Sequence, residues 1–180
     1  YLLDKSNLNN IHFIYKISKA FKISNNMIFK SINLFKGLKF RKQIIYDKSN
    51  LKIINDSKST SFSSTSGLLS TYSNIYWIVG GKCKKGDKFI LEKKYYKNIK
   101  AYIIGLSKCY FINQFKNKID YKYLKHLKKA LLAIKKDLKK DEKKKIVLFS
   151  PAAASFDQFR DFEHRGNYFN LLIKKISLYG

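Results

Sequence analysis

Three short apolar runs constrain the fold of this chain more than any other feature. They read NIYWIVGG (74–81), AYIIG (101–105) and KIVLF (145–149), and none of them alternates with polar residues. Continuous apolar runs of this length are typical of strands that are covered on both faces, as in a parallel sheet. Because segments with helical spacing separate the runs, we predict an α/β fold, with a mostly parallel sheet and helices on both of its faces.

Further strands and helices are predicted around these runs. RKQIIYD (41–47) and LKIIND (51–56) are predicted to be short strands joined by a turn at 48–50, and a helix is expected to begin near Thr60. A helix-like stretch covers 89–97, and another helix is predicted over 123–140. The apolar spacing in 123–140 is three or four residues throughout, at Leu124, Leu127, Leu131, Ile134 and Leu138. A last helix follows 145–149 and is expected to turn these residues inward: Phe159, Phe162, Phe169, Leu172 and Ile176.

The first part of the chain has a helical pattern and no strand before it. Ile11, Ile14, Ile17 and Phe21 favour one helix within 7–22. Ser24 is expected to cap a second helix that ends at Gly37. We therefore expect two parts, a helical segment over 1–37 and an α/β domain over 38–180. The chain begins with Tyr rather than Met, which favours a fragment or a processed product.

The net charge of +26, from 38 Lys and Arg against 12 Asp and Glu, invites a nucleic-acid-binding role. Only Arg41, Arg160 and Arg165 are arginines, whereas proteins that bind phosphates and bases favour the planar arginine fork. Abundant Lys, Asn, Ile, Tyr and Phe with scarce Arg and Pro indicate a coding sequence rich in A and T. We therefore expect solvated lysines and no nucleic-acid partner, and keep a basic nucleic-acid-binding α/β protein as the alternative.

The lack of a recognisable targeting signal and the spacing of the cysteines favour a cytoplasmic protein without a membrane partner. No apolar run reaches the roughly 18 residues that a membrane span requires, and the N-terminus has no signal-peptide pattern. Cys83 and Cys109 have no zinc-ligand spacing and are interpreted as reduced thiols.

Polar segments follow three of the predicted strands. They are NDSKST (55–60), GGKCKKGD (80–87) and SPAAASFDQF (150–159). In open α/β sheets, ligands bind beyond the carboxyl ends of the strands, so these segments form a candidate cradle for a small anion, most simply a carboxylate. The hydroxyl and ammonium groups that they offer belong to Thr60, Ser150, Ser155, Lys58 and Lys84. Ser, Asn and Asp are also ordinary turn residues, and Asp157 could support the start of the last helix.

The sequence contains neither a GxxxxGK[ST] phosphate-binding loop nor a cluster with metal-ligand spacing. His12, His126 and His164 are scattered, and no arrangement of nucleophile and base stands out. We therefore predict no catalytic residue and no metal ligand within this chain.

Taken in order, the segments NDSKST, NIYWIVGGKCKKGD and VLFSPAAASFDQFRDFEHRGNYF resemble the C-terminal half of a Mur ligase. The resemblance runs from about Asn7 to the C-terminus and favours the D-glutamate-adding branch. It implies that 38–180 is the family's Rossmann-like C-terminal domain, which binds the amino-acid substrate. It also implies that 1–37 holds the last helices of the central ATP-binding domain.

The resemblance implies ATP-dependent amide formation in peptidoglycan synthesis. ATP phosphorylates the carboxylate of UDP-N-acetylmuramoyl-L-alanine, and the amine of D-glutamate attacks the acyl phosphate. The implied cofactors are ATP and Mg²⁺, held mainly by the central domain, and the family works as a cytoplasmic monomer. This chain alone is therefore expected to be inactive.

The family's motifs also imply site residues. The residues implied to hold D-glutamate or line its pocket are Lys84, Thr60, Ser155, Phe156, Phe162 and, in support of the loop, Lys58. The residues implied to contact the nucleotide are Arg41, Asp56, Asn7 and Asn10. At the domain junction, Leu38-Lys39-Phe40-Arg41 replaces the family's usual Leu-Pro-His-Arg.

Overall fold

A computed structural model describes residues 8–138 and 143–178 of the chain. It divides into two compact units, Tyr1–Lys39 and Phe40–Gly180. The predicted boundary lies two residues before this division. The assignment of the first unit to a central ATP-binding domain, and of the second to a C-terminal domain, stays a prediction.

The first unit contains helices α1 (Leu8–Ala20) and α2 (Asn25–Leu34). Ser24 caps α2 as predicted, because its hydroxyl accepts a hydrogen bond from the Met27 N–H at 3.4 Å. The prediction that α2 continues to Gly37 is wrong. Phe35 already has an extended backbone, and its N–H closes the last turn on the Ile32 carbonyl.

Within the described residues, the second unit contains a six-stranded sheet in the order β1-β2-β6-β3-β4-β5. Its strands are β1 (Gln43–Lys48), β2 (Leu51–Asn55), β3 (Ile75–Gly80), β4 (Ile99–Ile104), β5 (Asp120–Lys125) and β6 (Lys145–Phe149). The predicted hairpin is confirmed, since β1 pairs antiparallel with β2. Every other neighbouring pair is parallel.

Helices cover both faces of this sheet, which confirms the predicted α/β fold. Alternate residues of β3 face opposite ways, so Trp77 enters one core and Ile78 the other. The Trp77 core is closed by α3 (Phe62–Thr71) and α4 (Lys108–Phe115). The Ile78 core is closed by α5 (Leu127–Leu138) and α6 (Phe162–Ile176). None of the helices in the described part of the chain is long and apolar enough to cross a membrane.

The predicted helix over 123–140 is wrong at its start. Residues up to Lys125 belong to β5, so Leu124 lies on a strand and the helix begins only at Leu127. Lys125 has a φ of +62°, which turns the chain between strand and helix. Because β5 is a mostly exposed edge strand, its apolar pattern is too weak to reveal it. The end of this prediction, at residues 139 and 140, lies outside the described residues.

Two other helix predictions need correction. Over 89–97 the structure has only a short 3-10 helix (Lys93–Asn98), because the Phe89 side chain is buried in the core and its N–H donates to Gln114. The last helix begins after Phe159, and its cap is Asp161, whose carboxylate accepts from the His164 N–H at 2.6 Å. Asp157 does not cap it and instead accepts from the Leu106 N–H at 2.9 Å.

Candidate ligand site at the carboxyl edge of the sheet

The three polar loops meet at one edge of the sheet, as their positions after parallel strands predict. The Asp56 N–H donates to the Phe149 carbonyl at 2.7 Å, which joins the loops after β2 and β6. The Gly80 N–H donates to the Pro151 carbonyl at 2.8 Å, which joins the loops after β3 and β6. We call this loop cluster, residues 55–60, 80–87 and 150–159, the carboxyl-edge cradle.

Gly81 is required for the close approach of two of these loops. It has a φ of +142°, and a Cβ there would lie 2.4 Å from the Ala154 carbonyl oxygen. Next to it, Lys82 and Ala154 exchange backbone hydrogen bonds of 2.9 and 3.0 Å. The glycine pair therefore lets the loop that carries Lys84 lie directly against the loop that carries Ser155.

A buried arginine on α6 joins two loops of the cradle through hydrogen bonds. Arg165 is 1% exposed. Its Nε and Nη2 donate to the hydroxyl and carbonyl of Ser57, at 3.1 and 2.7 Å, and its Nη1 donates to the Ala153 carbonyl at 2.9 Å. One guanidinium thus fixes the loop after β2 to the loop after β6. Sequence reasoning did not find this role.

Arg165 also places a positive charge beneath the cradle. Burial lowers its pKa to about 10, and the nearby Asp157 carboxylate opposes that change. A group with a pKa of about 10 is fully charged at neutral pH. Its three hydrogen bonds go to neutral oxygens, so its charge favours an anion above the loops.

Further hydrogen bonds attach the loop after β2 to α6. The Asn55 amide donates to the Gly166 carbonyl at 3.0 Å and to the Asn170 side chain at 2.8 Å. The Ser57 hydroxyl donates to the Phe162 carbonyl at 2.8 Å. Asn55 and Ser57 are both fully buried, so these two members of the polar segment NDSKST are structural.

Asp56 lies in the wall of the cradle and is 5% exposed. Its Oδ1 accepts from the Lys42 N–H at 2.9 Å, and its Oδ2 accepts from the Ser150 hydroxyl at 2.7 Å. Burial raises the pKa of this carboxyl to about 6, although both hydrogen bonds and the charges of Lys42 and Arg41 lower it. Arg41 is exposed and close enough for its charge to act on Asp56, so the structure brings these two predicted nucleotide contacts together.

Four of the six predicted D-glutamate residues expose their side chains at the cradle. Lys58, Thr60, Lys84 and Phe156 are exposed, whereas Ser155 is buried and Phe162 half-buried. The Lys58 ammonium lies 4.1 Å from the centre of the Phe162 ring, a cation–π contact that restrains both side chains.

The other two predicted nucleotide contacts, Asn7 and Asn10, belong to the first part of the chain. Asn10 is an exposed residue of α1, in the first unit. Asn7 lies outside the described residues. Their proposed role therefore stays a prediction.

Phe40 of the altered junction motif supports the cradle through packing. It is 4% exposed, and a Cβ at Gly166 would lie 2.4 Å from its ring. Its carbonyl accepts from the Lys58 N–H at 3.0 Å. The phenylalanine thus fixes the backbone of the loop that presents Lys58.

Comparison with known proteins shows which family this chain resembles, which the geometry alone does not. A UDP-N-acetylmuramoylalanine–D-glutamate ligase from Wolbachia sp. subsp. Brugia malayi is 37% identical over 171 residues, which cover 95% of this chain and 34% of the relative. The enzyme of the same name from Rickettsia prowazekii is 35% identical over 170 residues, covering 94% and 38%. The resemblance to the C-terminal half of a Mur ligase is confirmed.

The Mur ligase resemblance concerns only part of those enzymes. The chain spans about a third of the length of the curated relatives it matches. No protein-family model matches it. A solved murein peptide ligase from Psychrobacter arcticus superposes on 94% of this chain and 36% of its own, with a TM-score of 0.49 and 11% identity, and adds nothing to the assignment of the site.

Proposed function

We propose that this chain is the amino-acid-binding part of an ATP-dependent ligase that joins D-glutamate to UDP-N-acetylmuramoyl-L-alanine in peptidoglycan synthesis. The observation that carries the proposal is the match of almost the whole chain to curated D-glutamate ligases. The meeting of the three polar loops at one edge of the sheet supports it. The proposal includes a cytoplasmic location and a monomeric state for the intact enzyme.

The carboxyl-edge cradle suits a dicarboxylate. Charge-assisted hydrogen bonds to a carboxylate are roughly twice as strong as neutral ones, and the exposed Lys84 ammonium can supply one. The hydroxyls of Thr60 and Ser155 are proposed to donate to the remaining oxygens. The buried charge of Arg165 adds a favourable field, and Lys58, held against Phe162, supports the loop.

The nucleotide and its metal ion are assigned only in part to this chain. Within residues 8–138 and 143–178, no group of three or more His, Cys, Asp or Glu could hold a metal ion, so these residues supply no such ligand cluster for Mg²⁺. ATP supplies the phosphoryl group that activates the substrate carboxylate. Arg41 and Asp56 are proposed to face the nucleotide, and the task of the cradle is to bind and orient the D-glutamate whose amine attacks.

Titration of the 180-residue chain with D-glutamate, followed by NMR chemical shifts, tests the proposal. A hydrogen bond to a charged group is worth about 1.5–3 kcal/mol, so Lys84→Ala should weaken binding about 10- to 150-fold. Lys82→Ala and Lys85→Ala, in the same loop, are matched controls and should bind like the unaltered chain. If the three variants behave alike, or if D-glutamate shifts no resonance of the cradle, the assignment fails.

A further inference from the structure

A chain of hydroxyl groups runs from Asp56 to the first turn of α3. The Ser150 hydroxyl donates to Asp56 at 2.7 Å and is hydrogen-bonded to the Thr65 hydroxyl at 2.8 Å. Thr65 in turn is 2.6 Å from the Ser59 hydroxyl, which is 2.7 Å from that of Ser64. Ser150, Thr65 and Ser59 are each at most 4% exposed, so only the Ser64 end reaches solvent.

Each hydroxyl carries one proton and can donate only one hydrogen bond, so the chain has one direction at a time. When Asp56 is ionised, Ser150 must donate to it. Thr65 must then donate to Ser150, and Ser59 to Thr65. Every hydroxyl therefore donates in the direction of the carboxylate. In the hydrogen bond between Ser59 and Ser64, Ser64 must then be the donor.

When Asp56 carries a proton on Oδ2, the same chain runs the other way. Asp56 donates to Ser150, which frees Ser150 to donate to Thr65, Thr65 to Ser59, and Ser59 to Ser64. The proton of Ser64 is then available to the Ser61 carbonyl, which lies 2.7 Å from the Ser64 hydroxyl. The two states thus differ at the backbone carbonyl of Ser61, directly after Thr60.

Both charge states of Asp56 are accessible near neutral pH. Burial raises the pKa of this carboxyl to about 6. Among the described residues, the charged groups that act on it are Lys42 and Arg41, which precede β1, and both lower the pKa. From the end of β6 it receives only the neutral hydroxyl of Ser150.

We propose that Thr65 is a positioning residue at the centre of a hydroxyl relay, which passes the charge state of Asp56 to the start of α3. No proton moves from one oxygen to another, because each hydroxyl only rotates about its C–O bond. The biological reading rests on the proposed function, in which Asp56 faces the nucleotide and Thr60 faces D-glutamate. The relay then couples the two sides of the site through the interior of the domain.

A pH titration of the labelled 180-residue chain by NMR tests the relay without any ligand. The side-chain carboxyl carbon of Asp56 and the carbonyl carbon of Ser61 should titrate with one shared midpoint, near pH 6. In Thr65→Val, which keeps the branched shape and removes the hydroxyl, Asp56 should still titrate while the Ser61 carbonyl loses that midpoint. Thr65→Ser restores a hydroxyl and should restore the shared midpoint.

Two further variants keep the test decisive. Asp56→Asn should hold the Ser61 carbonyl at its low-pH position, because the Asn amide donates to Ser150 as a protonated Asp does. Ser59→Ala breaks the next link and replaces Thr65→Val if that variant does not fold. The proposal is overturned if the chemical shift of the Ser61 carbonyl carbon does not change with pH in the unaltered chain. It is also overturned if that shift changes in Thr65→Val with the same midpoint and amplitude as in the unaltered chain.

Titration with D-glutamate at pH 5 and pH 7.5 separates this proposal from the proposed function. The relay predicts a difference in affinity between the two pH values that Thr65→Val abolishes and Thr65→Ser keeps. If the shared midpoint is found but D-glutamate shifts no resonance, the function fails and the relay stands. If D-glutamate binds but Ser61 does not follow Asp56, the relay alone fails.

Discussion

Two regions of the sheet domain carry positive charge in opposite ways. At the carboxyl-edge cradle, a single guanidinium, Arg165, is 1% exposed and held by three hydrogen bonds. At the amino ends of β4 and β5, a cavity of about 630 Å³ is lined by exposed lysines, which we call the amino-edge lysines: Lys93, Lys94, Lys97 and Lys118. The cradle also presents the exposed Lys58, Lys82, Lys84 and Lys85, so the two regions differ in the buried, fixed charge of Arg165 and not in the number of exposed lysines.

The difference between the two regions shows that the number of charges does not identify a site in this chain. Exposed ammonium groups are screened by water and salt, and ion pairs such as Lys94–Glu92, with both side chains more than 60% exposed, contribute little. A buried guanidinium keeps its geometry and is only weakly screened. This contrast supports the proposal that the cradle is the functional site, and we interpret the amino-edge lysines as solvated surface.

The largest expected effect in this comparison is a loss of folding stability when Arg165 is replaced by Met. The substitution leaves the hydroxyl and carbonyl of Ser57 and the Ala153 carbonyl without their donor in a buried place. Unsatisfied buried groups cost about 1–3 kcal/mol each and are not additive, so we expect a loss of roughly 3–5 kcal/mol in the free energy of unfolding. Urea denaturation at pH 7 measures it.

Lys97→Met at the amino edge is the matched control. It replaces an exposed cation by the same apolar side chain, so the change should stay within about 0.5 kcal/mol. Equal losses in the two variants would show that the buried arginine is no better fixed than a surface lysine, and would remove the contrast between the regions.

A smaller effect is expected for Asp56→Asn, and it depends on pH. The pKa of Asp56 is raised from 3.8 to about 6 in the folded chain, so the folded state binds the proton more tightly than the unfolded state. The stability that this group contributes is therefore full below pH 4 and is lost as the pH rises through 6. Asn avoids this loss, and the variant should be more stable than the unaltered chain by about 2–3 kcal/mol at most above pH 7.

Asp47→Asn tests the sign of this prediction. The hydrogen bond from Lys52 lowers the pKa of Asp47, so removal of its charge should give no gain in stability above pH 7. Thermal unfolding of both variants at pH 4.5 and pH 7.5 provides the comparison. A gain for Asp56→Asn that is the same at both pH values would contradict the assignment of the effect to proton binding.

The smallest effect is expected when all four amino-edge lysines are changed to Gln. On the view that these lysines are solvated, binding to duplex DNA is non-specific and falls steeply between about 50 and 200 mM salt. The quadruple variant should bind only slightly more weakly at low salt. Tight, sequence-selective binding at physiological salt that the variant abolishes would make the amino edge a built site and would favour the nucleic-acid alternative.

The sequence by itself determined the central strands and the edge of the sheet at which the candidate site lies. The apolar runs at 74–81, 101–105 and 145–149 overlap strands β3, β4 and β6, which are buried on both faces, and that condition leaves a direct mark as continuous apolar residues. Once parallel pairing is inferred for the strands that precede 55–60, 80–87 and 150–159, the loops after them must share an edge, so the cradle follows without knowledge of any contact. The edge strand β5 was not predicted, because an exposed strand needs no continuous apolar run. The spacing of Leu124 from the next leucines matched that of a helix.

Only the tertiary structure decided which hydrogen bonds join the loops of the cradle to one another and to the helices. Arg165 and Ser57 are 108 positions apart, and Thr65 and Ser150 are 85 apart. Within its own helix, Arg165 could equally face solvent, and Ser59 and Thr65 resemble the other polar residues of a serine-rich segment. Sequence periodicity reports which face of an element is apolar. Hydrogen bonds between distant polar groups leave no periodic mark, because their partners are chosen only when the strands and helices pack.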